Sequence, residues 1–198
     1  MPFNHENHTV LQDLQRQLSP FLHRKIEPYA PQGYTCAAVV IPLVIVDGEI
    51  CVLFTKRTAI VRDHQNQMSF PGGACEATDR TILETALREM DEEIGIRIPL
   101  NAILGALAPS KTVTGYFITP FVAMIDSLEN MKLNMQEVEK VILVPLNWLA
   151  DPNNYSVQPY SREGADIEDV IFFTPFQNET IWGITAEITL DFVDLIKK

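Results

Sequence analysis

Two apolar segments near the start of the chain have the pattern of paired β-strands. Residues 34–46 and 49–55 are rich in Val, Ile and other strand-forming residues. Asp47 and Gly48 stand between them and are typical of a two-residue hairpin turn. Because the first segment is apolar at almost every position, we expect both of its faces to be covered.

A helical periodicity follows between Thr78 and Gly95. Thr78 or Asp79 can cap its first turn, and Gly95 stands where a left-handed C-cap is expected. The residues of its apolar stripe recur every three or four positions and are Leu83, Leu87, Met90 and Ile94. The pattern predicts one amphipathic helix.

The rest of the chain alternates between further strands and helices. The predicted strands are residues 103–108, 117–125, 138–143 and 170–174, and a closing helix is predicted at residues 185–196. We expect an exposed polar loop at residues 109–116 and a turn-rich segment at residues 148–159. This mixed order favours the α/β class, with a sandwich of helices around a sheet.

The first 30 residues carry a short amphipathic pattern of their own. Its apolar positions are Val10, Leu11, Leu14 and Leu18. We interpret residues 1–30 as a helical extension that packs on a single domain formed by residues 31–198. A total of 198 residues with 46% hydrophobic content is enough for one domain with a substantial core.

Charge and targeting signals limit the partners of the protein. A formal net charge of -11 argues against nucleic acid or an anionic membrane as a partner, since either would be repelled. The N-terminus lacks a secretory pattern, and no apolar run approaches the roughly 20 residues of a membrane span. We therefore expect a cytoplasmic protein that binds neither nucleic acid nor an anionic membrane.

The three cysteines are Cys36, Cys51 and Cys75. Their odd number and the absence of a paired metal-binding spacing favour a reducing compartment over a disulfide framework. Cys75 lies close to the Phe-Pro-Gly-Gly turn at residues 70–73, which we call the glycine turn, and could be reactive. We expect it to be a free thiol without a role.

The polar face of the predicted helix is acidic at its C-terminal end. Glu89, Glu92 and Glu93 stand at i, i+3 and i+4, so we expect their carboxylates to converge. The helix dipole disfavours anions in the last turn by roughly 0.3 to 1 kcal/mol each, which indicates a compensating cation. Oxygen ligands without His or Cys suit Mg²⁺ or Mn²⁺. The alternative is a solvated acidic face.

The same residues resemble a known family motif. Residues 88–96, REMDEEIGI, resemble the second half of the Nudix box, and Gly73 resembles its opening glycine. The spacing from Gly73 to Arg88 is one residue longer than usual, and only Asp79 matches the upstream glutamate of the box. The resemblance implies a Nudix-type α/β/α sandwich with a mixed β-sheet, and a metal-dependent hydrolase.

A second resemblance concerns the segment that leads into the box. Residues 53–73, LFTKRTAIVRDHQNQMSFPGG, are similar to the signature of the coenzyme A pyrophosphatase-like Nudix hydrolases, with substitutions at Phe54, Thr58 and Asn66. This resemblance implies cleavage of the pyrophosphate of coenzyme A or its derivatives to 3',5'-ADP and a 4'-phosphopantetheine product.

The two resemblances together imply a set of site residues. Metal ligands would be Glu89, Glu92, Glu93 and the carbonyl of Gly72; catalytic residues would be Glu92, Glu93, Arg88 and Glu137; substrate would be bound by Arg57, Arg62 and Gly73. Lys111 is a further substrate-binding candidate, because it lies in the polar loop at residues 109–116, where it is available to phosphate. The general base is left open among Glu93, Glu137 and Glu139. Arg57 and Arg62 are the candidates for contact with the 3'-phosphate of coenzyme A.

Two other functions stay open at this point. The box also permits a pyrophosphatase for another nucleoside diphosphate derivative or for a nucleoside triphosphate. A non-catalytic Nudix domain that senses a nucleotide would be a binding module, although such a module does not need three converging carboxylates. The sequence does not decide between Mg²⁺ and Mn²⁺, or between a monomer and a homodimer.

Overall fold

A computed structural model of the protein describes residues 12, 14–18, 28–58, 67–161 and 168–197. In chain order, the strands and helices of these residues are β1 (Thr35–Val46), β2 (Glu49–Arg57), β3 (Met68–Ser69), β4 (Gly72–Ala74), α1 (Ile82–Ile94), β5 (Ile103–Ala106), β6 (Ser110–Lys111), β7 (Tyr116–Ile125), β8 (Val138–Pro145), α2 (Leu146–Ala150), β9 (Tyr155–Tyr160), β10 (Glu168–Phe173) and α3 (Gly183–Ile196). Short 3-10 turns occur at Leu100–Ala102 and Pro152–Asn154.

Strand β1 is the centre of a mixed sheet. It pairs antiparallel with β2 through the predicted turn, where Asp47 and Gly48 both have positive φ, and parallel with β7. Strand β8 extends the sheet beyond β2, and β5 extends it beyond β7. The N-terminal half of β1 diverges from β2 and pairs with the short strand β4, with Ala38 opposite Gly73. This divergence brings the glycine turn into the sheet.

Helices cover both faces of the sheet, which confirms the predicted α/β sandwich. On one face α1 buries Ala86 and Met90 against Ala38 and Val40 of β1. On the other face the buried side chains of α3 include Ala186, Ile188 and Phe192, which join a cluster with Ile41 and Leu43. Because side chains alternate along a strand, β1 supplies both cores, as its apolar sequence predicts.

Leu14 and Leu18 of the N-terminal extension are also buried in the core on the α3 face. At Gly105 of β5 a Cβ atom would collide with the backbone of Leu18, so this part of the extension lies directly against the sheet. Val10 and Leu11, the other two members of the predicted stripe, lie outside the described residues. In the described part of the chain, no helix is long and apolar enough to cross a membrane.

The details of α1 differ from the prediction at its start. Its N-cap is Thr81, whose hydroxyl accepts a hydrogen bond from the Glu84 backbone N–H at 3.2 Å, so the prediction of Thr78 or Asp79 is wrong. Gly95 is the left-handed C-cap, as predicted, with φ 69°. The stripe is rotated as well, since Leu83 and Leu87 are only half-buried. The fully buried face consists of Ile82, Thr85, Ala86, Met90, Glu93 and Ile94.

Two loop predictions also need correction. The segment 148–159 contains the end of α2 and most of β9, which pairs with β10 as a separate two-stranded ribbon. The segment 109–116 contains β6, which pairs with β7 through Ser110–Ile118 and Lys111–Phe117. Both strands are short or exposed, and the long-range pairing that forms them leaves no strong periodicity in the sequence.

Candidate active site

Strand β4 lies against the acidic end of α1, and two glycines permit this contact. At Gly73 an added Cβ would lie 2.5 Å from the Glu89 carboxylate. At Gly72 the φ angle is 154°, and an added Cβ would collide with the backbone of Ala38 and with Val39. The glycine turn is therefore required for the close approach of backbone and carboxylates.

Arg88 links the start of α1 to its acidic end. Its guanidinium donates to Asp79 at 3.1 Å, to Glu89 at 2.8 Å and to Glu92 at 3.1 Å. It also donates to the backbone carbonyl of Ala74 at 3.1 Å. A planar guanidinium with five donors suits this role, because one group can orient several carboxylates together.

Asp79 has a clear structural function that the altered box spacing concealed. Its carboxylate is buried and accepts hydrogen bonds from Arg88, from the Glu76 backbone N–H at 2.9 Å and from the Thr85 hydroxyl at 2.9 Å. The hydrogen bond from Arg88 lowers the pKa of Asp79 most, and those from Glu76 and Thr85 lower it further, against the effect of burial. Asp79 thus holds Arg88 in place.

Glu93 has the opposite surroundings. Its side chain is 2% exposed, and its Oε2 atom is buried without a hydrogen-bond partner among the described residues. Arg57 lies 3.5 Å from Oε1. Burial raises the pKa of Glu93 to about 8; Arg57 opposes the shift, and the charges of Glu89 and Glu137 add to it. A buried, incompletely paired carboxylate at the end of a helix can accept a cation or a proton.

Glu89 and Glu137 complete the acidic cluster. Burial raises the pKa of Glu89, and the negative charges of Glu92 and Glu137 contribute to the rise, while Arg88 opposes it. Glu137 reaches the cluster from the loop before β8, where its carboxylate accepts a hydrogen bond from the Asn134 side chain at 3.1 Å. The fourth side chain, Glu92, is more than half exposed.

The structure separates the candidate bases. Glu139 pairs with Lys56 at 3.3 Å, and Lys56 also pairs with Glu179 at 2.9 Å, so the Glu139 charge is engaged there. Glu137, by contrast, acts electrostatically on both Glu89 and Glu93. Among the described residues, Glu137 therefore joins Glu89, Glu92 and Glu93 in what we call the acidic cluster.

The residues predicted to bind substrate lie in different parts of the structure. Arg57 ends β2 beside Glu93, and its Nε atom is buried without a hydrogen-bond partner among the described residues. Lys111 lies on β6, with its ammonium group 5.3 Å from the centre of the Tyr34 ring. Arg62 lies outside the described residues.

The carboxylates of the acidic cluster offer oxygen ligands for a divalent metal ion. Within the described ranges, no three His, Cys, Asp or Glu side chains are grouped closely enough to hold an ion as they stand. Arg88 is hydrogen-bonded to both Glu89 and Glu92. The unpartnered Glu93 Oε2 and the glycine turn that admits the Glu89 carboxylate nevertheless fit an oxygen-ligated ion such as Mg²⁺ or Mn²⁺.

Cys75 is not a free thiol, so that prediction is wrong. A disulfide joins it to Cys36, and the two Cα atoms are 5.4 Å apart. The pairing of β1 with β4 places these residues opposite each other, although 39 positions separate them in the sequence. Sequence reasoning missed the pair because register between distant strands is not encoded in cysteine spacing.

Comparisons with known proteins identify the family of the chain. A family model described as NUDIX domain matches residues 34–181. The "Uncharacterized Nudix hydrolase NudL" of Photorhabdus laumondii is 36% identical over 152 residues, covering 77% of this chain and 80% of that protein. The protein of the same name in Yersinia pestis is 35% identical over 152 residues, covering 77% of this chain and 75% of that protein.

A solved structure extends the likeness to the fold. The crystal structure of a MutT/nudix family protein from Enterococcus faecalis matches with a TM-score of 0.56 and 16% identity, covering 96% of this chain and 73% of that chain. At this identity the likeness concerns the fold alone. Nudix hydrolases generally use divalent metal ions such as Mg²⁺ or Mn²⁺. The family match spans β4, α1 and the acidic cluster described above, and the chain therefore belongs to the NUDIX family as a Nudix hydrolase.

Proposed function

We propose that the protein hydrolyses the pyrophosphate bond of coenzyme A or its derivatives, giving 3',5'-ADP and a 4'-phosphopantetheine product. The observation that carries this proposal is the segment 53–73, which resembles the coenzyme A branch and contributes Arg57 beside Glu93. A cation at this position can contact an anionic substrate in a protein whose net charge is -11.

Glu89, Glu92 and Glu93, together with the Gly72 carbonyl, would hold one or more Mg²⁺ or Mn²⁺ ions. When bound, the metal would neutralise charge on the pyrophosphate and on the leaving phosphate. Arg88 orients Glu89 and Glu92 by direct hydrogen bonds, and Asp79 holds Arg88. This arrangement requires no covalent chemistry by the protein.

A base must remove a proton from the attacking water. Glu93 and Glu137 are the two candidates in the cluster, and Glu139 is a weaker one because it is paired with Lys56. Burial raises the pKa of Glu93 in the absence of metal, and a nearby cation would lower it, so that the carboxylate would be free of its proton near neutral pH and able to accept one. Glu137 becomes the better candidate if Glu93 is committed to the metal.

A product assay tests the substrate. The purified protein is incubated with coenzyme A, acetyl-coenzyme A, 3'-dephospho-coenzyme A, adenine dinucleotides and nucleoside triphosphates, each with Mg²⁺ and with Mn²⁺. We expect 3',5'-ADP from coenzyme A, and a lower kcat/KM for 3'-dephospho-coenzyme A. Preferred hydrolysis of a dinucleotide or triphosphate would show that the protein is a hydrolase with a substrate other than coenzyme A. Tight nucleotide binding without turnover would favour the sensing module.

Arg57 gives a sharper test of the same proposal. Arg57→Ala should reduce kcat/KM for coenzyme A about 10- to 100-fold, and for 3'-dephospho-coenzyme A much less, if Arg57 contacts the 3'-phosphate. Arg97→Ala is the matched control. Arg97 is an exposed arginine that follows the C-terminal end of α1, the end at which Glu93 contacts Arg57, and it is paired with Asp91. Equal losses on both substrates would place Arg57 on the shared pyrophosphate instead.

A further inference from the structure

Cys36 and Cys75 are held opposite each other by the sheet itself. The Cys75 backbone N–H donates to the Cys36 carbonyl at 2.9 Å, and the neighbouring residues Ala37 and Ala74 are cross-strand partners. The Cα separation of 5.4 Å lies within the usual range for disulfides. Because backbone pairing sets this distance, the two sulfurs stay adjacent whether or not they are bonded.

The third cysteine differs from this pair in its surroundings. Cys36 and Cys75 are both half-buried, so a small thiol or disulfide can reach them. Cys51 is buried within β2, and burial raises the pKa of its thiol, with further contributions from Glu49 and Asp47. A buried thiol with a raised pKa reacts slowly. The protein thus has one accessible pair and one inert thiol that serves as an internal control.

The disulfide joins β1 to the residue that follows β4, the strand that lies against the acidic cluster. Strand β4 is three residues long and pairs with β1 at only three positions. The residue before Cys75 is Ala74, whose carbonyl accepts from Arg88, and Gly73 lies directly against the Glu89 carboxylate. A covalent bond at the end of so short a strand therefore fixes the backbone on which Arg88 and Glu89 rest.

We propose that Cys36 and Cys75 form a reversible dithiol–disulfide site that sets how firmly β4 is held against the glutamates of α1. A low-molecular-weight disulfide is the oxidant. One cysteine thiolate attacks a sulfur of that disulfide and releases one small thiol; the second cysteine then attacks the mixed disulfide and releases the other. The two cysteine sulfurs lose two electrons in total, and their two protons end on the two released thiols.

The redox chemistry of the pair is independent of the proposed substrate, whereas its effect on turnover rests on the proposed function. The first experiment equilibrates the protein with glutathione disulfide or with reduced glutathione, unfolds it in denaturant so that all free thiols are blocked with iodoacetamide, and measures the intact mass. We expect one blocked thiol after oxidation and three after reduction, since the chain has three cysteines. Cys36→Ser should trap glutathione on Cys75. Three blocked thiols after both treatments would overturn the proposal.

The second experiment compares the two redox forms at the site. We expect reduction to lower kcat/KM about threefold to tenfold and to shrink the rise in Tm that Mn²⁺ causes. The double variant Cys36→Ser/Cys75→Ser should have the kcat/KM and metal response of the reduced form, and redox treatment should change neither. Cys51→Ser should respond to redox treatment as the wild type does. If Mn²⁺ raises the Tm of the oxidised and the reduced protein equally, and the intact mass proves both forms, the proposed effect of the disulfide on the site is overturned. If the rise in Tm with Mn²⁺ depends on the redox state but coenzyme A is not hydrolysed, this inference is supported and the proposed substrate is wrong.

Discussion

Two buried carboxylates lie at opposite ends of α1, and their surroundings shift their pKa values in opposite directions. Asp79, before the helix, accepts hydrogen bonds from Arg88, Thr85 and the Glu76 backbone, and its pKa is lowered chiefly by Arg88. Glu93, in the last turn, has one long contact with Arg57 and an oxygen without a partner among the described residues; burial raises its pKa to about 8.

The difference shows which carboxylate is structural and which is available for function. A fully paired carboxylate such as Asp79 has little free capacity to bind a further ion or proton. A carboxylate such as Glu93 destabilises the fold in its charged form, and a cation relieves that cost. Arg88 connects the two regions, because it contacts Asp79 at one side and Glu89 and Glu92 at the other.

The largest expected effect is on catalysis at Glu93. Glu93→Gln keeps the size of the side chain but removes the charge, so we expect kcat to fall by about 1000-fold or more while the fold is retained. Glu92→Gln should also be severely impaired if Glu92 binds the metal. Steady-state assays at saturating Mn²⁺ measure both. Glu129→Gln, at an exposed loop position, is the control and should be unaffected. Near wild-type turnover by Glu93→Gln would remove Glu93 from the site.

The second effect is on stability at Asp79. Asp79→Asn breaks the buried pair with Arg88, so we expect the free energy of unfolding to fall by about 2 to 4 kcal/mol. Urea denaturation at pH 7 measures this loss. Glu76→Gln is the matched control, since Glu76 is an exposed partner of Arg88 at 3.9 Å, and should cost less than about 0.5 kcal/mol. Equal losses in the two variants would contradict the structural function of Asp79.

The third prediction concerns pH in the absence of metal. Because the folded-state pKa of Glu93 is about 8 and its ordinary value is 4.5, the folded protein holds a proton that the unfolded chain has lost between these values. The contribution of Glu93 is therefore present at low pH and is lost as the pH rises through this window. Asp79 has the opposite sign, since its lowered pKa stabilises the fold until acid protonates it.

Unfolding in urea with EDTA at pH 5, 6, 7 and 8 isolates the effect of Glu93. We expect Glu93→Gln to gain about 2 to 4 kcal/mol relative to the wild type between pH 5 and pH 8. Saturating Mn²⁺ should reduce this difference by stabilising the wild type. If the two proteins show parallel pH profiles, the raised pKa of Glu93 is contradicted.

The smallest effect concerns the cap of α1. Thr81→Ala removes the hydroxyl that accepts from the Glu84 backbone, so we expect a loss of about 1 kcal/mol with kcat little changed. Thr78→Ala, three residues earlier, should have almost no effect, because the hydrogen bond that the Thr78 hydroxyl makes to a described residue is a long one of 3.5 Å to the exposed Glu76 carboxylate. Thermal unfolding distinguishes them. A larger loss for Thr78→Ala would restore the original cap prediction.

Sequence periodicity was sufficient for the elements formed by local interactions. The β1–β2 hairpin, the helix α1 and its C-cap Gly95 follow from turn chemistry and the spacing of apolar residues over a few positions. The positions of Glu89, Glu92 and Glu93 in the last two turns of a helix follow from helical periodicity as well. The family was recognisable for the same reason, since its motif is contiguous.

Tertiary structure decided the features that depend on distant residues. Glu92 and Glu93 are consecutive in the motif, but they point in directions about 100° apart on the helix, and packing buries Glu93 and leaves Glu92 exposed. Asp79 looked like a cap or a poor match to the box, and only its contact with Arg88 gives it a function. The Cys36–Cys75 bond arises from the register of β1 with β4. Local sequence determines the β1–β2 hairpin and α1, whereas pairing across the sheet forms the short strand β6 and, together with burial, determines the charge state and partners of each side chain.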